Sequence, residues 1–154
     1  MDSTALIVPA YRWRVRVYSL YLFIVFDYVL TSVFCEEFSD EANRVVRAFM
    51  VYFDSVPLGL VAFTLAFYGP VYLTLCSLSN MDWSRVKEVD FFDSLSERIR
   101  PVFDILLGLG VAARHFDGGM SWVHPLASGL WLPVGFVFYL TLVHFGTMWI
   151  ELGR

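Results

Sequence analysis

Four long apolar stretches separated by short polar ones organise the chain. Val17–Cys35 holds one charge, Asp27, in nineteen residues, and as a helix it reaches roughly 28 Å, enough to cross a hydrocarbon core. It is preceded by Tyr11-Arg12-Trp13-Arg14-Val15-Arg16 and followed by Glu36, Glu37, Asp40 and Glu41. These flanks suit a retained anchor better than a signal peptide, which would end on small residues. Ser55–Leu78 carries no charge in twenty-four residues. Gly69-Pro70 within it should bend the helix, because proline lacks the amide that bonds one turn back. Residues 99–116 form the weakest stretch, since Val102–Ala113 is only twelve residues long and includes Asp104. If Arg100 and Arg114 extend to the headgroups it lengthens to about 27 Å, just sufficient to cross. The last stretch, residues 125–150, is interrupted by Gly129, Pro133 and Gly135 and has His144 as its one ionisable group.

Two polar intervals have helical periodicity. Between Asp40 and Asp54, Ala42, Val45, Val46, Phe49, Met50 and Phe53 recur at three- and four-residue spacing while Arg44 and Arg47 fall elsewhere, which predicts an amphipathic helix at the interface or leading into the second span. In the polar segment 79–98, Trp83, Val86, Val89, Phe92 and Leu95 repeat the pattern as far as Ile99, and Ser94 with Glu97 fits a capping box. The fold expected is an all-α integral membrane protein, one helical-bundle domain over residues 1–154. It has four transmembrane helices, or three if 99–116 turns back, with short amphipathic helices at the interface.

Composition agrees: 58% of the 154 residues are hydrophobic, 18% aromatic and 17% charged, against about 25% charged in soluble domains. The net charge of -4 comes without a basic tract, which sets nucleic acid aside as a partner. With the amino and carboxyl termini cytoplasmic, Arg12, Arg14, Arg16, Arg85, Lys87, Arg98, Arg100 and Arg154 lie inside against Arg44, Arg47 and Arg114 outside, as the positive-inside rule requires. The three-span alternative gives the same count, so charge does not choose between them. Trp13, Trp83, Trp122 and Trp149 fall where interfacial anchors belong. Ala62 with Ala66, and Gly108 with Ala112, give small-residue seams for close helix approach. Cys35 and Cys76 end successive spans at opposite faces, too far apart for a disulfide.

The candidate chemistry lies in the polar groups within and beside the spans. Asp27 falls roughly 18 Å along its helix from Val15, where an ionised carboxylate costs about 2.5–3.5 kcal/mol; it must be protonated, paired or in contact with water. Thr31 is one turn further on the same face. With Glu41 and Asn43 at the outer mouth these groups suggest an outward-opening polar pocket for a cation or a proton relay, with Asp104 as a second acid. The plainer alternative is that Asp27 and Thr31 hydrogen-bond a neighbouring helix. Val-Phe-Asp recurs at residues 25–27 and 102–104, which raises a two-plus-two pseudo-repeat.

Asp27-Tyr-Val-Leu-Thr31, with Glu41-Ala-Asn43 and Arg47, resembles a family of small, uncharacterised prokaryotic, largely archaeal, polytopic membrane proteins. Their pattern is an Asp and a Thr in the first span followed by Glu-x-Asn-Pro at its outer end. The resemblance covers residues 27–47, about a seventh of the chain, and departs at Arg44, where the pattern has proline. It implies a polytopic membrane fold and no particular activity.

His115, Asp117 and His124 concentrate two histidines and an acid in what the spacing predicts is the loop between the third and fourth spans, with Gly118-Gly119 as its turn. Two His and a carboxylate are transition-metal ligands, although the spacing matches no metal motif, and Arg114 with Asp117 is more simply an ion pair. His144 lies far down the last span, so no two histidines share a depth on different spans as haem would need. No metal or haem cofactor is expected. H-E-x-x-H, G-x-S-x-G and P-loop signatures are absent from the sequence, which leans against an enzyme. The leading expectation is a non-catalytic subunit, scaffold or assembly partner in the cell membrane, contacting other membrane helices or itself. The alternatives are a small transporter or ion-handling protein built on Asp27, and a metal-dependent membrane enzyme at His115, Asp117 and His124.

Overall fold

The computed structural model describes residues 7–80, 102, 104–124 and 129–153. All regular structure among them is helical. Helix α1 spans Tyr11–Phe34, a short 3-10 turn follows at Phe38–Asp40, and α2 spans Arg44–Phe53. Helix α3, Val56–Phe63, passes through a π turn at Thr64–Tyr68 into α4, Gly69–Ser79. The next helical run, 104–123, has a second π turn at Gly108–Ala112 and continues as α5, Ala113–Val123; α6 is Leu132–Leu152. The capping box and amphipathic pattern read at 79–98 lie outside the described residues.

Among the described residues three helices are long and apolar enough to cross a membrane: Trp13–Phe34, Val56–Ser77 and Leu132–Leu152. The first is the most enclosed, with 33% of its apolar window buried against 11% for the second. Helix α1 is accordingly the hub, packed against α5, α6 and α3, with α4 at its margin. Leu20 and Phe23 from α1, Ala112, and Tyr139 and Val143 from α6 form its main apolar cluster. Phe116 packs on that cluster and stacks on Phe26.

The amphipathic segment read at 40–54 is helical from Arg44 and folds back on the second span. Asn43 caps it, its side-chain oxygen accepting from the amides of Val45 and Val46 at 3.0 and 3.4 Å, so the helix starts cleanly without a proline at its first position. Asp54, in the left-handed region at φ 47°, ends it, and Ser55 caps α3. The reversal is tight because Gly59 lies on the backbone of α2: an added Cβ would fall 2.5 Å from Met50 Cα. Val46, Met50, Leu60 and Phe63 close that hairpin.

Gly69-Pro70 is absorbed by the helix rather than breaking it. The π turn just before it bonds the Gly69 amide to the Thr64 carbonyl, five residues back, a wider turn of the kind that accommodates a missing donor. The Tyr68 carbonyl accepts from the Tyr21 hydroxyl at 2.6 Å.

The region 114–124 is not a loop. Helix continues through Val123, and Gly118-Gly119 is a contact surface rather than a turn. A Cβ on Gly119 would lie 3.0 Å from the Phe26 ring and 3.1 Å from Asp27 Cα, and one on Gly118 3.1 Å from Asp27 Oδ1. The glycines let α5 press against α1, the use of small residues familiar from membrane helix pairs.

Candidate functional site

Three polar links join α1 to the helical run 104–123 in sequence order. Arg16 donates to Asp104 in a two-pronged pair at 2.7 and 2.9 Å, Asp27 meets His115 at 2.7 Å, and Trp122 Nε1 donates to Thr31 Oγ1 at 3.0 Å. The two helices therefore run parallel. The first two links are eleven residues apart on each helix, about 16 Å along α1. Asp104 belongs to the end where α1 begins and is not part of a pocket with Asp27. Asp27 and Asp104, the acids that end the two Val-Phe-Asp triplets, are out of register by the same amount.

His115 is the centre of the site. Its Nδ1 faces Asp27 Oδ2 and its Nε2 faces the Tyr68 hydroxyl at 2.8 Å. A carboxylate can only accept, so Nδ1 carries the proton, and in the neutral ring Nε2 accepts from Tyr68. The His115 and Asp27 side chains are 12% and 15% exposed, so the pair is largely shielded from water and its hydrogen bond is the charge-assisted kind. Tyr28 and Tyr68 set ring edges against the imidazole, with centroids 5.7 and 5.5 Å away. Thr31 is 2% exposed, its hydroxyl held by Trp122.

These groups wall a cleft of about 730 Å³ at the end of the bundle where α1 finishes. Asp27, Tyr28 and Thr31 come from α1, Glu41 and Asn43 from the connection, Val46 from α2, and Leu60, Phe63 and Tyr68 from the second span. Helix α5 adds Arg114, His115, Asp117 and Trp122. The structure thus brings Asp27, Thr31, Glu41 and Asn43 into one cavity and leaves Asp104 out.

Glu41 Oε1 accepts from the Asn43 amide at 2.7 Å, and its carbonyl accepts from the Arg47 guanidinium at 2.9 Å through Nε. Burial holds its carboxyl above the usual range and Asp27 adds to that, while the Asn43 amide, Arg47 and His115 act the other way. Asp40 also lines the cleft, but its carboxylate accepts from the Glu37 amide at 2.9 Å.

His115, Asp117 and His124 are turned to different partners. Asp117 Oδ1 accepts from the Trp131 amide at 3.1 Å, so its carboxylate ties α5 to the start of α6 rather than pairing with Arg114. His124 ends α5 with its ring edge toward Trp131. Among the described residues no group of three or more His, Cys, Asp or Glu could hold a metal ion. His144 is exposed on α6 beside Phe145, and Cys35 and Cys76 are both free and buried.

Sequence reasoning missed Tyr68, Trp122 as the holder of Thr31, and the partnership of His115 with Asp27. The available signal was complementarity at equal spacing: Arg16 and Asp27 in one helix, Asp104 and His115 in another, each pair eleven residues apart. Compared with known protein families, curated proteins and solved structures, the chain finds no match.

Proposed function

We propose that this is a small multi-pass protein of the cell membrane that takes a cationic solute into the cleft and couples its binding to a proton on the Asp27–His115–Tyr68 chain, as a transporter or ion-handling protein. The observation that carries this reading is the convergence of those three residues on one acid-lined cavity. Four of the residues behind the family resemblance, Asp27, Thr31, Glu41 and Asn43, line that same cavity. In the proposed topology both termini are cytoplasmic, the run 104–123 is a fourth crossing, and the cleft opens to the outside. The run is then the parallel counterpart of α1, as in a two-plus-two repeat with an eleven-residue slip. Asp27 and Thr31 each bond a neighbouring helix, as the plainer alternative expects; what favours the present reading over an assembly partner or a metal enzyme is that the part-buried acid–imidazole–phenol chain faces a cavity.

The coupling follows from electrostatics. A proton added at His115 Nε2 makes an imidazolium balanced by Asp27, and a cation beside the same carboxylates disfavours that charge. Proton and cation compete, and by linkage each weakens the other reciprocally. In vesicles carrying the purified chain and an internal pH-sensitive dye, an imposed cation gradient is expected to move protons the opposite way. Asp27→Asn, folded by thermal melt, should abolish the signal. A wild-type chain that moves no protons against any of a panel of inorganic and organic cations would overturn the proposal, as would an unaffected Asp27→Asn.

Glu41 adds a pH dependence whose sign is fixed by its raised pKa. Its charge develops only above the ordinary carboxylate range, so cation affinity should climb as pH rises through that interval, and Glu41→Gln should flatten that part of the curve. Folding responds in the opposite sense. A raised folded-state pKa contributes stability that is full below the unfolded carboxylate pKa and is lost as pH rises through the folded one. The melting midpoint of Glu41→Gln should therefore gain on wild type between acid and neutral pH; a constant difference would show that Glu41 is not shifted.

A further inference from the structure

Building on the proposed cation site, we infer that its ligand is an organic ammonium, a positively charged nitrogen carrying a small apolar body, rather than an inorganic ion. Three features of the cleft lead there. The first is size, since about 730 Å³ falls in the range of small-molecule pockets, roughly 300–1,000 Å³. A bare metal ion instead needs oxygens converging at about 2.0–2.6 Å. The second is the state of the carboxylates. Asp27 is engaged by His115, Asp40 by the Glu37 amide and Asp117 by the Trp131 amide, and no metal-holding group forms among the described residues. With Glu41 they outnumber the Arg114 guanidinium in the same lining and supply a net negative field without a coordination shell.

The third feature is the aromatic wall. Tyr28, Phe63, Tyr68 and Trp122 face the same cavity as Asp27 and Glu41. Aromatic faces attract alkylated ammonium groups, which shed water far more readily than sodium or magnesium. Trp122 is held in place by its bond to Thr31 and Tyr68 by its bond to His115, so the rings are ordered before a ligand arrives and little freedom is lost on binding. An ammonium seated between these rings would lie close to the carboxylate of the Asp27–His115 pair, and its charge would displace the proton invoked above.

The test is calorimetric titration of the full purified chain in non-ionic detergent with tetramethylammonium and methylammonium chlorides, against sodium, potassium and magnesium chlorides at matched ionic strength. Saturable binding of an ammonium salt, and none of the metal salts, is expected. Trp122→Leu should weaken it about ten-fold, while Trp122→Phe, which keeps a ring and loses the Thr31 bond, should stay within about three-fold. Saturable sodium or magnesium binding without ammonium binding overturns the inference, and so does a folded Trp122→Leu that binds like wild type. The comparison of salts on the unaltered chain decides the matter even if a variant fails to fold.

A second arm replaces tetramethylammonium by a short-chain phosphocholine lipid. Tighter binding of the lipid identifies the ammonium as that of a headgroup, equal or weaker binding as that of a free solute, and both support the ammonium class. Ammonium binding without proton movement in vesicles would remove the coupling and keep the ligand class. Proton movement driven by sodium, with no ammonium bound, would do the reverse.

Discussion

Arg16→Met is expected to destabilise the folded chain by up to about 3–5 kcal/mol, the cost of leaving a largely enclosed carboxylate without its partner. Arg16 and Asp104 form a two-pronged pair at 2.7 and 2.9 Å, their side chains 13% and 15% exposed. Removing the guanidinium leaves Asp104 to ionise unaided or to take up a proton. The double variant Arg16→Met with Asp104→Leu removes both charges and should recover most of the loss, since well-packed apolar replacements of buried pairs are often neutral. Recovery will be incomplete, because Arg16 also lies over the Trp13 ring at 5.9 Å, a contact worth about 0.5–1 kcal/mol. Reversible unfolding of the wild type and of these two variants in mixed micelles measures this. If the single substitution costs less than about 1 kcal/mol, the pair behaves as an exposed one and does not lock the register of the two helices.

The second large effect is expected at Gly59. A Cβ there would sit 2.5 and 2.6 Å from Met50 Cα and N and 2.9 Å from the Phe49 carbonyl carbon, and backbone atoms cannot rotate away as a side chain can. Gly59→Val should force α2 off α3, at a cost of roughly 1–3 kcal/mol or more. Function should suffer beyond stability, because Asn43 and Val46 line the cleft from one side of that contact and Leu60 and Phe63 from the other. Gly110→Ala is the matched control: nothing lies within 4 Å of its Cβ, and alanine should be neutral or stabilise the helix by up to about 1 kcal/mol. Melting midpoints together with cation titrations separate the two. A Gly59→Val chain that melts like wild type would mean that the hairpin is loose and does not shape the cavity.

The apolar runs and one side of the site were legible because they are local. Three long spans follow from length and hydropathy. Asp27 and Thr31 share a face by being one turn apart, and Glu41 and Asn43 follow within the next polar stretch. What a single sequence hides is partnership across elements. Gly118-Gly119 looks like a turn and so sets His115 in a loop, when the missing Cβ atoms in fact serve α5 against Asp27 and Phe26. Tyr68 was invisible as a site residue because it closes a π turn, across which a 3.6-residue count loses phase. Asp104 was drawn toward Asp27 by the repeated Val-Phe-Asp, whereas its partner is a cation eleven residues earlier in α1.

The two wide turns bear on how chain length can vary. Each holds one residue more than an ordinary α turn, so a homologous chain lacking a single residue at 64–68 or 108–112 would keep the flanking faces in phase. A one-residue loss elsewhere in the same helices turns everything beyond it by about 100°. Single-residue gaps in an alignment of such chains should accordingly collect at these two places. A chain shortened at 64–68 will have tightened the turn that presents Tyr68, so its imidazole should lack a phenol partner.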